Sequence, residues 1–317
     1  MTAPFRIESF DSEAEWLALR ETGIGASEVY DVIADPAKVY CLKRRLIEPF
    51  AGNDNTEWGN RLEPIIMAKA AEVFGITLVK PDAVCVSLSH PHCLCSLDGV
   101  EANEWAAGNI STVYEFKSSG LVGDWGETDS DEYPERYYIQ TQAQMGVTGA
   151  KRAVLCVLLM GRNREFRHYV IERDEAVIDR LMTVCEGLWT NHIEPGIPPT
   201  PDPKTCTLDV VRAITGYSAG KSVVLAENMA ETVLKWHQAK EFEAEAKNLR
   251  KRLQATIELQ MGDAAVATIE GIDGIELNRR KTQCAGHVVK PHERVELAIP
   301  QKCKPTLLGL KATKEIA

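Results

Sequence analysis

Apolar and polar residues along this chain follow two rhythms, and the change from one to the other predicts its elements. Near the start, Ser12-x-x-Glu15 is a capping-box signature followed by Trp16, Leu17 and Leu19, which predicts a helix reaching about Arg20. A Gly-Ile-Gly turn at 23–25 ends it, and a short helix is expected to start at Ser27. From Trp58 to Phe74, Leu62, Ile65, Ile66 and Ala70 recur at helical spacing, and Gly75 supplies the stop. On this reading helices precede any strand.

Between Thr77 and Lys117 the rhythm shortens to short β-rich runs: ITLV, AVCVSL, LCSLDGV and, after a turn at Gly108-Asn109, ISTVYEFK. A strand meander is expected there. Pro134 to Val147 reads as a helix with proline in its first turn, followed by the strands AVLCVLLM and EFRHYVIE, hinged at Gly161-Arg-Asn. An amphipathic helix over about Asp174 to Thr190 presents Val177, Leu181, Cys185 and Leu188 on one side. Prolines at 195, 198, 199, 201 and 203 exclude both helix and central strand, and mark a boundary between residues 1–200 and 201–317. Beyond it, residues 223–261 predict a long helix in which Phe242, Ala246, Leu249, Leu253 and Ile257 form a coiled-coil-like seam. A β-hairpin, AVATIE-GIDG-IELNRR, follows, and the last 35 residues carry no legible pattern. The expected fold class is α/β: a central mixed sheet flanked by helices, with a C-terminal extension of long helix plus β-hairpin.

Composition, with 44% apolar and 26% charged residues, is that of a soluble globular protein, and no apolar run approaches the ~20 residues of a membrane span. The acidic N-terminus lacks the basic start and apolar stretch of a secretion signal, so cytoplasmic residence is expected. Nine cysteines at irregular spacing read as free thiols rather than a disulfide framework. Cys85, His90, His92, Cys93 and Cys95 have zinc-binding chemistry, but the Cys93-x-Cys95 spacing and the local alternation favour a strand with buried cysteines. Net charge is −10, yet residues 1–203 carry 18 Lys and Arg against 32 Asp and Glu, while residues 204–317 carry 18 against 14. The acidity is thus confined to the first unit, where carboxylates can serve metal ions that in turn bind phosphate; a DNA partner is compatible with the charge.

The chemistry concentrates at Glu115-Phe116-Lys117. Strand alternation sets the two charged side chains on one face and Phe116 on the other. With Asp98 arriving on a neighbouring strand, a hard cation such as Mg²⁺ would gain two carboxylates, the Phe116 carbonyl and several waters. Lys117 beside such a water can lower its pKa or steady negative charge developing on phosphorus. Glu and Lys on a strand are also a common device against aggregation, so this triplet alone is weak.

Five motifs in order strengthen it: RETGIGASEVYDVIA from Arg20, EWGNRLEP around Glu63, SLDG around Asp98, EFKSS around Glu115 and Lys117, and YYIQTQAQMGVTG from Tyr137. Together they resemble the phage lambda exonuclease or YqaJ-like viral recombinase family, within the PD-(D/E)XK nuclease superfamily, over roughly residues 10–200. The resemblance implies a restriction-endonuclease-like sheet and a Mg²⁺-dependent 5′–3′ exonuclease, with Mn²⁺ as a substitute, that digests double-stranded DNA ends and leaves 3′ overhangs. It makes Asp98 and Glu115 metal ligands and Lys117 the catalytic lysine. Glu63 would help hold a second metal or orient water, and Gln140 with Tyr137 would line the site. Arg20 and Ser27 would form a 5′-phosphate pocket, in keeping with a forked guanidinium and a helix N-terminus. A single-strand annealing protein as partner, a ring-shaped homotrimer, and phage or prophage origin are implied as well. Other readings of single residues stay open: Ser27 as an N-cap, Arg20 as a solvated helix end, Glu63 paired with Arg61 or Lys69, Tyr137 as core.

Three departures qualify the resemblance. Leu97 precedes Asp98 where the superfamily name expects proline. Six acids crowd residues 124–135, with no basic residue to match a further phosphate-contacting arginine. A basic region extends beyond residue 204. Two alternatives remain: an iron–sulfur nuclease, for which Cys206, Cys284 and Cys303 lack close spacing, and a non-catalytic DNA-binding or scaffold protein with a nuclease-like fold.

Overall fold

The computed structural model describes residues 3–270 and 272–278. The chain divides into two compact units, one ending at Ser218 and one beginning at Ala219. The first unit opens with a strand, β1 (Phe5–Ser9), before the first helix, α1 (Glu13–Arg20), so helices do not precede every strand. Ser12 caps α1 by accepting from the Glu15 N–H, while Glu15 reaches back to the Asp11 N–H at 2.8 Å. After β2 (Ile24–Gly25), a single 3-10 turn at Ala26–Glu28 leads into α2 (Val29–Ala34). Ser27 therefore sits in that turn and makes no cap bond, in place of the helix start expected there. Next come α3 (Pro36–Lys43), capped by Asp35 with proline at its start, and α4 (Asp54–Phe74). Asn53 caps α4 one turn earlier than Trp58, and Gly75 ends it at φ 66°, a left-handed conformation that favours glycine.

The region read as a meander is split between two sheets. β4 (Ala83–Ser87) and β5 (Cys93–Ser96) join β1 and β2 in a four-stranded sheet of order β1-β4-β5-β2. β3 (Leu78–Val79), β6 (Gly99–Glu101), β7 (Thr112–Ser119), β8 (Arg152–Met160) and β9 (Arg164–Glu172) form a five-stranded sheet in that order. Within it β7 and β8 are parallel and the other pairs antiparallel, so the sheet is mixed. LCSLDGV is thus two strands, with Leu97 and Asp98 at the passage between sheets. A short helix, α5 (Ala102–Ala107), fills the stretch read as the approach to a turn. The parallel β7–β8 connection carries α6 (Glu135–Thr148), and α7 (Glu175–Leu188) follows β9.

Both faces of the second sheet are covered. On one, Val113, Leu155, Val157, Tyr169 and Ile171 join the main core with residues of α6 and α7, including Ala143, Met145, Ile178 and Met182. On the other, Tyr114, Phe116, Val154 and Cys156 pack with Ile66 and Ala70 of α4. Two-sided burial explains why AVLCVLLM is apolar throughout instead of alternating. The first sheet supports α1, where Val84, Val86 and Leu94 meet Trp16 and Leu19. Cys85 and Cys95 stand opposite each other in the β4–β5 register, and with Cys93 they are buried in the main core. His92 instead stacks on Trp189, at 5.0 Å between centroids.

The proline run lies inside the first unit, since α8 (Leu208–Thr215) buries Val210 in the main core. In the second unit, α9 (Met229–Met261) is a 33-residue helix starting later than residue 223, followed by the hairpin of β10 (Val266–Ile269) and β11 (Ile272–Asn278). The unread last 35 residues lie outside the described residues. Among the described residues no helix is long and apolar enough to cross a membrane.

Candidate active site

Alternation along β7 builds the site. Tyr114 and Phe116 turn toward α4, which leaves Glu115 and Lys117 on the α6 side. The Glu115 side chain is buried, with 0% of the residue exposed, and an ionised carboxylate there must be fully hydrogen-bonded. It is. Gln140 Nε2 donates to Oε1 and Gln144 Nε2 to Oε2, each at 2.6 Å, and the Lys117 ammonium also donates to Oε1. Gln140 and Gln144 are one helical turn apart, so both reach the strand. Gln142 turns away, donating to the Glu172 carbonyl and accepting from the Asp174 N–H. Gln144 was missed as a site residue, although its spacing from Gln140 was a usable signal.

Asp98 is brought in by the antiparallel pairing of β6 with β7, which sets Gly99 opposite Tyr114. Its Oδ2 accepts from the Phe116 N–H at 3.2 Å and lies 4.0 Å from Lys117 Nζ. Gly99 permits this approach, because a Cβ there would lie 2.9 Å from the Phe116 ring. Burial, then the Glu115 carboxylate, push the Asp98 carboxyl well above the usual carboxylate range, and Lys117 offsets this only in part. Burial alone would pull Lys117 down, but Glu115 and Asp98 reverse that and hold its ammonium above the ordinary lysine value. The lysine is thus placed as a cation beside both carboxyl groups. Its Nζ sits 5.4 Å from the centroid of the Tyr137 ring, which stacks on Trp125 at 5.5 Å. Tyr137 therefore backs Lys117. The acidic stretch that follows is anchored here too: Arg167 donates to the carbonyls of Trp125 and Gly126, and the Tyr169 hydroxyl donates to the Gly126 carbonyl.

A cavity of about 560 Å³ joins this cluster to the other candidate residues, with Arg20, Ser27, Glu63, Asp98, Glu115, Lys117, Gln140 and Gln144 all on its wall. Glu63 pairs with Lys80, whereas Arg61 pairs with Glu57 and Lys69 with Glu72, so neither expected partner holds it. Arg20 Nη2 donates to Ser27 Oγ at 3.1 Å, and its guanidinium lies 5.0 Å from the Trp16 ring centroid. Glu28 stands 3.9 Å from Arg20 and is itself held by Lys43 at 2.8 Å and by the Gly25 N–H. A guanidinium backed by indole, beside a hydroxyl and with its neighbouring acid neutralised, is suited to a phosphate.

Asp98 and Glu115, one carboxyl with its pKa raised by burial and then by the other, make an oxygen donor set whose crowding a hard cation would relieve. Gln144 Oε1 adds a buried acceptor with no partner. Among the described residues no group of three or more His, Cys, Asp and Glu gathers closely enough to hold a metal, so an ion at Asp98 and Glu115 would have to take its remaining ligands from backbone, amide oxygen or water. Of the cysteines weighed for an iron–sulfur cluster, Cys206 donates to Asp35, and Cys284 and Cys303 lie outside the described residues.

Comparison with known proteins places the same residues in a family context. Residues 15–151 match the YqaJ-like viral recombinase domain. The protein YqaJ of Bacillus subtilis (strain 168) is 23% identical over 261 residues, which is 80% of this chain and 79% of that protein. Among solved structures, LHK-Exo, an alkaline exonuclease from Laribacter hongkongensis, crystallised with dAMP, is 20% identical over 58% of this chain and 94% of that one, with a TM-score of 0.47. A phage-related exonuclease from Haemophilus somnus 129PT is 16% identical over 59% and 91%, with a TM-score of 0.39. Every residue of the cluster, from Arg20 to Gln144, falls within the segment that matches the YqaJ-like viral recombinase domain.

Proposed function

We propose that the protein is a Mg²⁺-dependent exodeoxyribonuclease that degrades the 5′-terminated strand of duplex DNA to mononucleotides and leaves 3′ single-stranded overhangs. The observation that carries this reading is the shared cavity: Asp98, Glu115 and Lys117 line it together with Arg20 and Ser27. A phosphate-binding corner and a carboxylate–ammonium corner in one space suit a strand end held by its terminal phosphate and cut nearby.

Asp98, Glu115 and the Phe116 carbonyl would hold the ion, and Glu63 would join for a second one after giving up Lys80. When bound, Mg²⁺, or Mn²⁺ in its place, supplies an activated water and polarises the scissile phosphate. The chain's own part is positional and electrostatic. Gln140 and Gln144 fix the Glu115 carboxylate in one orientation, and the Lys117 ammonium stabilises negative charge on the pentavalent phosphorus. Tyr137 excludes water behind that ammonium, and Arg20 with Ser27 holds the 5′-phosphate by charge-assisted hydrogen bonds. Overhangs of this kind are substrates for a single-strand annealing protein, the partner class that fits the product.

End-labelled linear duplex with and without a 5′-phosphate, incubated with Mg²⁺, tests the reading. Wild type is expected to release mononucleotides and Lys117→Ala none, while Arg20→Ala chiefly loses the preference for phosphorylated ends. DNA retention without cleavage by wild type would mean a binding protein instead, and equal use of both ends would remove the phosphate corner.

A further inference from the structure

The second unit carries a surface that the cleavage chemistry leaves unused. Along α9, Phe242, Leu249, Leu253 and Ile257 are 67%, 48%, 56% and 42% exposed, and Ala246 lies between them on the same face. The spacings of four, three, four and four residues keep these side chains on one stripe of a straight helix. Exposed leucine and phenylalanine in a row on a solvated helix mark an interaction face rather than scattered surface residues.

The charges beside the stripe specify what it meets. Glu241, Glu243 and Glu245 form an acidic block with no base between them, and Lys247, Arg250, Lys251 and Arg252 form a basic block immediately after. Glu243, Glu245, Arg250 and Arg252 flank the stripe, and none of them has an ion-pair partner among the described residues. We propose that α9 pairs antiparallel with the same helix of a second copy of this chain, about a two-fold axis between Lys247 and Asn248. That axis sets Phe242 against Leu253 of the partner subunit and Ala246 against Leu249 of the partner subunit, so large and small apolar residues alternate across the seam.

In an antiparallel pair, flanking residues on the same side of the seam face one another. Glu243 then meets Arg250 of the partner subunit, and Glu245 meets Arg252 of the partner subunit. The two-fold repeats both pairs, giving four attractive contacts around the apolar centre. A parallel pair would lay each basic block along its own copy, a like-charge arrangement that costs free energy. The helix dipoles also oppose only in the antiparallel arrangement.

Charge exchange in the full-length chain tests this, read by light scattering. The variant E243R/E245R and the variant R250E/R252E should each lose about half the mass of the wild-type assembly, because each sets like charges across the seam. Mixing the two variants should restore the wild-type mass, since the all-basic helix of one complements the all-acidic helix of the other. Unchanged mass in both variants overturns the proposal, and so does a loss that mixing fails to restore. Weaker DNA retention by R250E/R252E at unchanged mass would assign the basic block to nucleic acid instead. Cleavage per strand end is expected to be unaffected in both variants, so failure of this pairing and failure of the nuclease reading give different results.

Discussion

A buried carboxylate is tolerable only while each of its oxygens has a donor, and Glu115 meets that condition through three different side chains. Gln144 is the donor to Oε2, and it is nearly inaccessible itself. Gln144→Leu, similar in size, leaves that oxygen unpaired in the core. A loss of about 1–3 kcal/mol in stability is expected from the unsatisfied group. A fall of roughly 10–100-fold in turnover should accompany it, the usual cost of removing a residue that orients a metal ligand. Thermal melting and mononucleotide release read the two effects separately; full activity in Gln144→Leu would show that Glu115 needs no such orientation.

Asp98 makes the opposite case, a carboxyl whose surroundings favour the proton. Because burial and Glu115 raise its pKa on folding, the folded protein keeps a proton that the unfolded chain releases near pH 4. Its contribution to stability is therefore fullest below that pH and is lost as pH rises toward the raised value. Asp98→Asn abolishes the loss. In chelator, the difference between variant and wild type should be small near the unfolded carboxylate pKa and grow in the variant's favour toward neutrality. A difference that stays constant with pH would contradict the placement of Asp98 against Glu115.

Among the elements, the β6–β7 pair controls the site most directly. Gly99 is held against the Phe116 ring, so Gly99→Ala must displace either the ring or the strand that carries Asp98. We expect about 1–3 kcal/mol of destabilisation, typical of overpacking. Cleavage should fall as well, while retention of 5′-phosphorylated ends, which rests on other elements, is kept. Equal losses in both would mean that the two corners are not separable. The same pair shows where sequence stops being informative. Helices with several turns of apolar spacing and a clear stop, such as α1, α4, α6 and α7, are legible locally. The partner of a strand is not: LCSLDGV has the composition of one strand, and nothing within it says that Ser96 and Gly99 belong to different sheets. β1 was invisible for the same reason, since FRIES is stabilised by pairing with β4, some 80 residues away. Asp98, Glu115 and Lys117 were legible because their spacing and neighbours carry a motif. The Glu63–Lys80 pair was not, because it joins a helix to a loop through tertiary packing alone.

For the molecule as a whole, a divalent ion bound as proposed would relieve the crowding of Asp98 against Glu115 and so stabilise the folded state. On that reading, Mg²⁺ at about 100 times its Kd should add about 2.7 kcal/mol to the stability of the folded state. For a unit of this size that corresponds to a rise of roughly 5–10 °C in Tm. Glu115→Gln should lose most of the rise while remaining folded. A rise of equal size in that variant would locate the ion elsewhere.

The passage from one sheet to the other at Leu97 and Asp98 bears, on the proposed function, on the length of product released at each cut. Arg20 and Ser27 lie on either side of β2, whose partner β5 runs straight into Asp98, while Glu115 and Lys117 belong to the neighbouring sheet. In the proposed function, the grip on the strand end and the cutter ride on different sheets, which share one core and are linked along the chain by Leu97 and Asp98. The distance between the two sheets at the cavity would then set how far the held phosphate lies from the cutting residues, and with it the length of product released per cut.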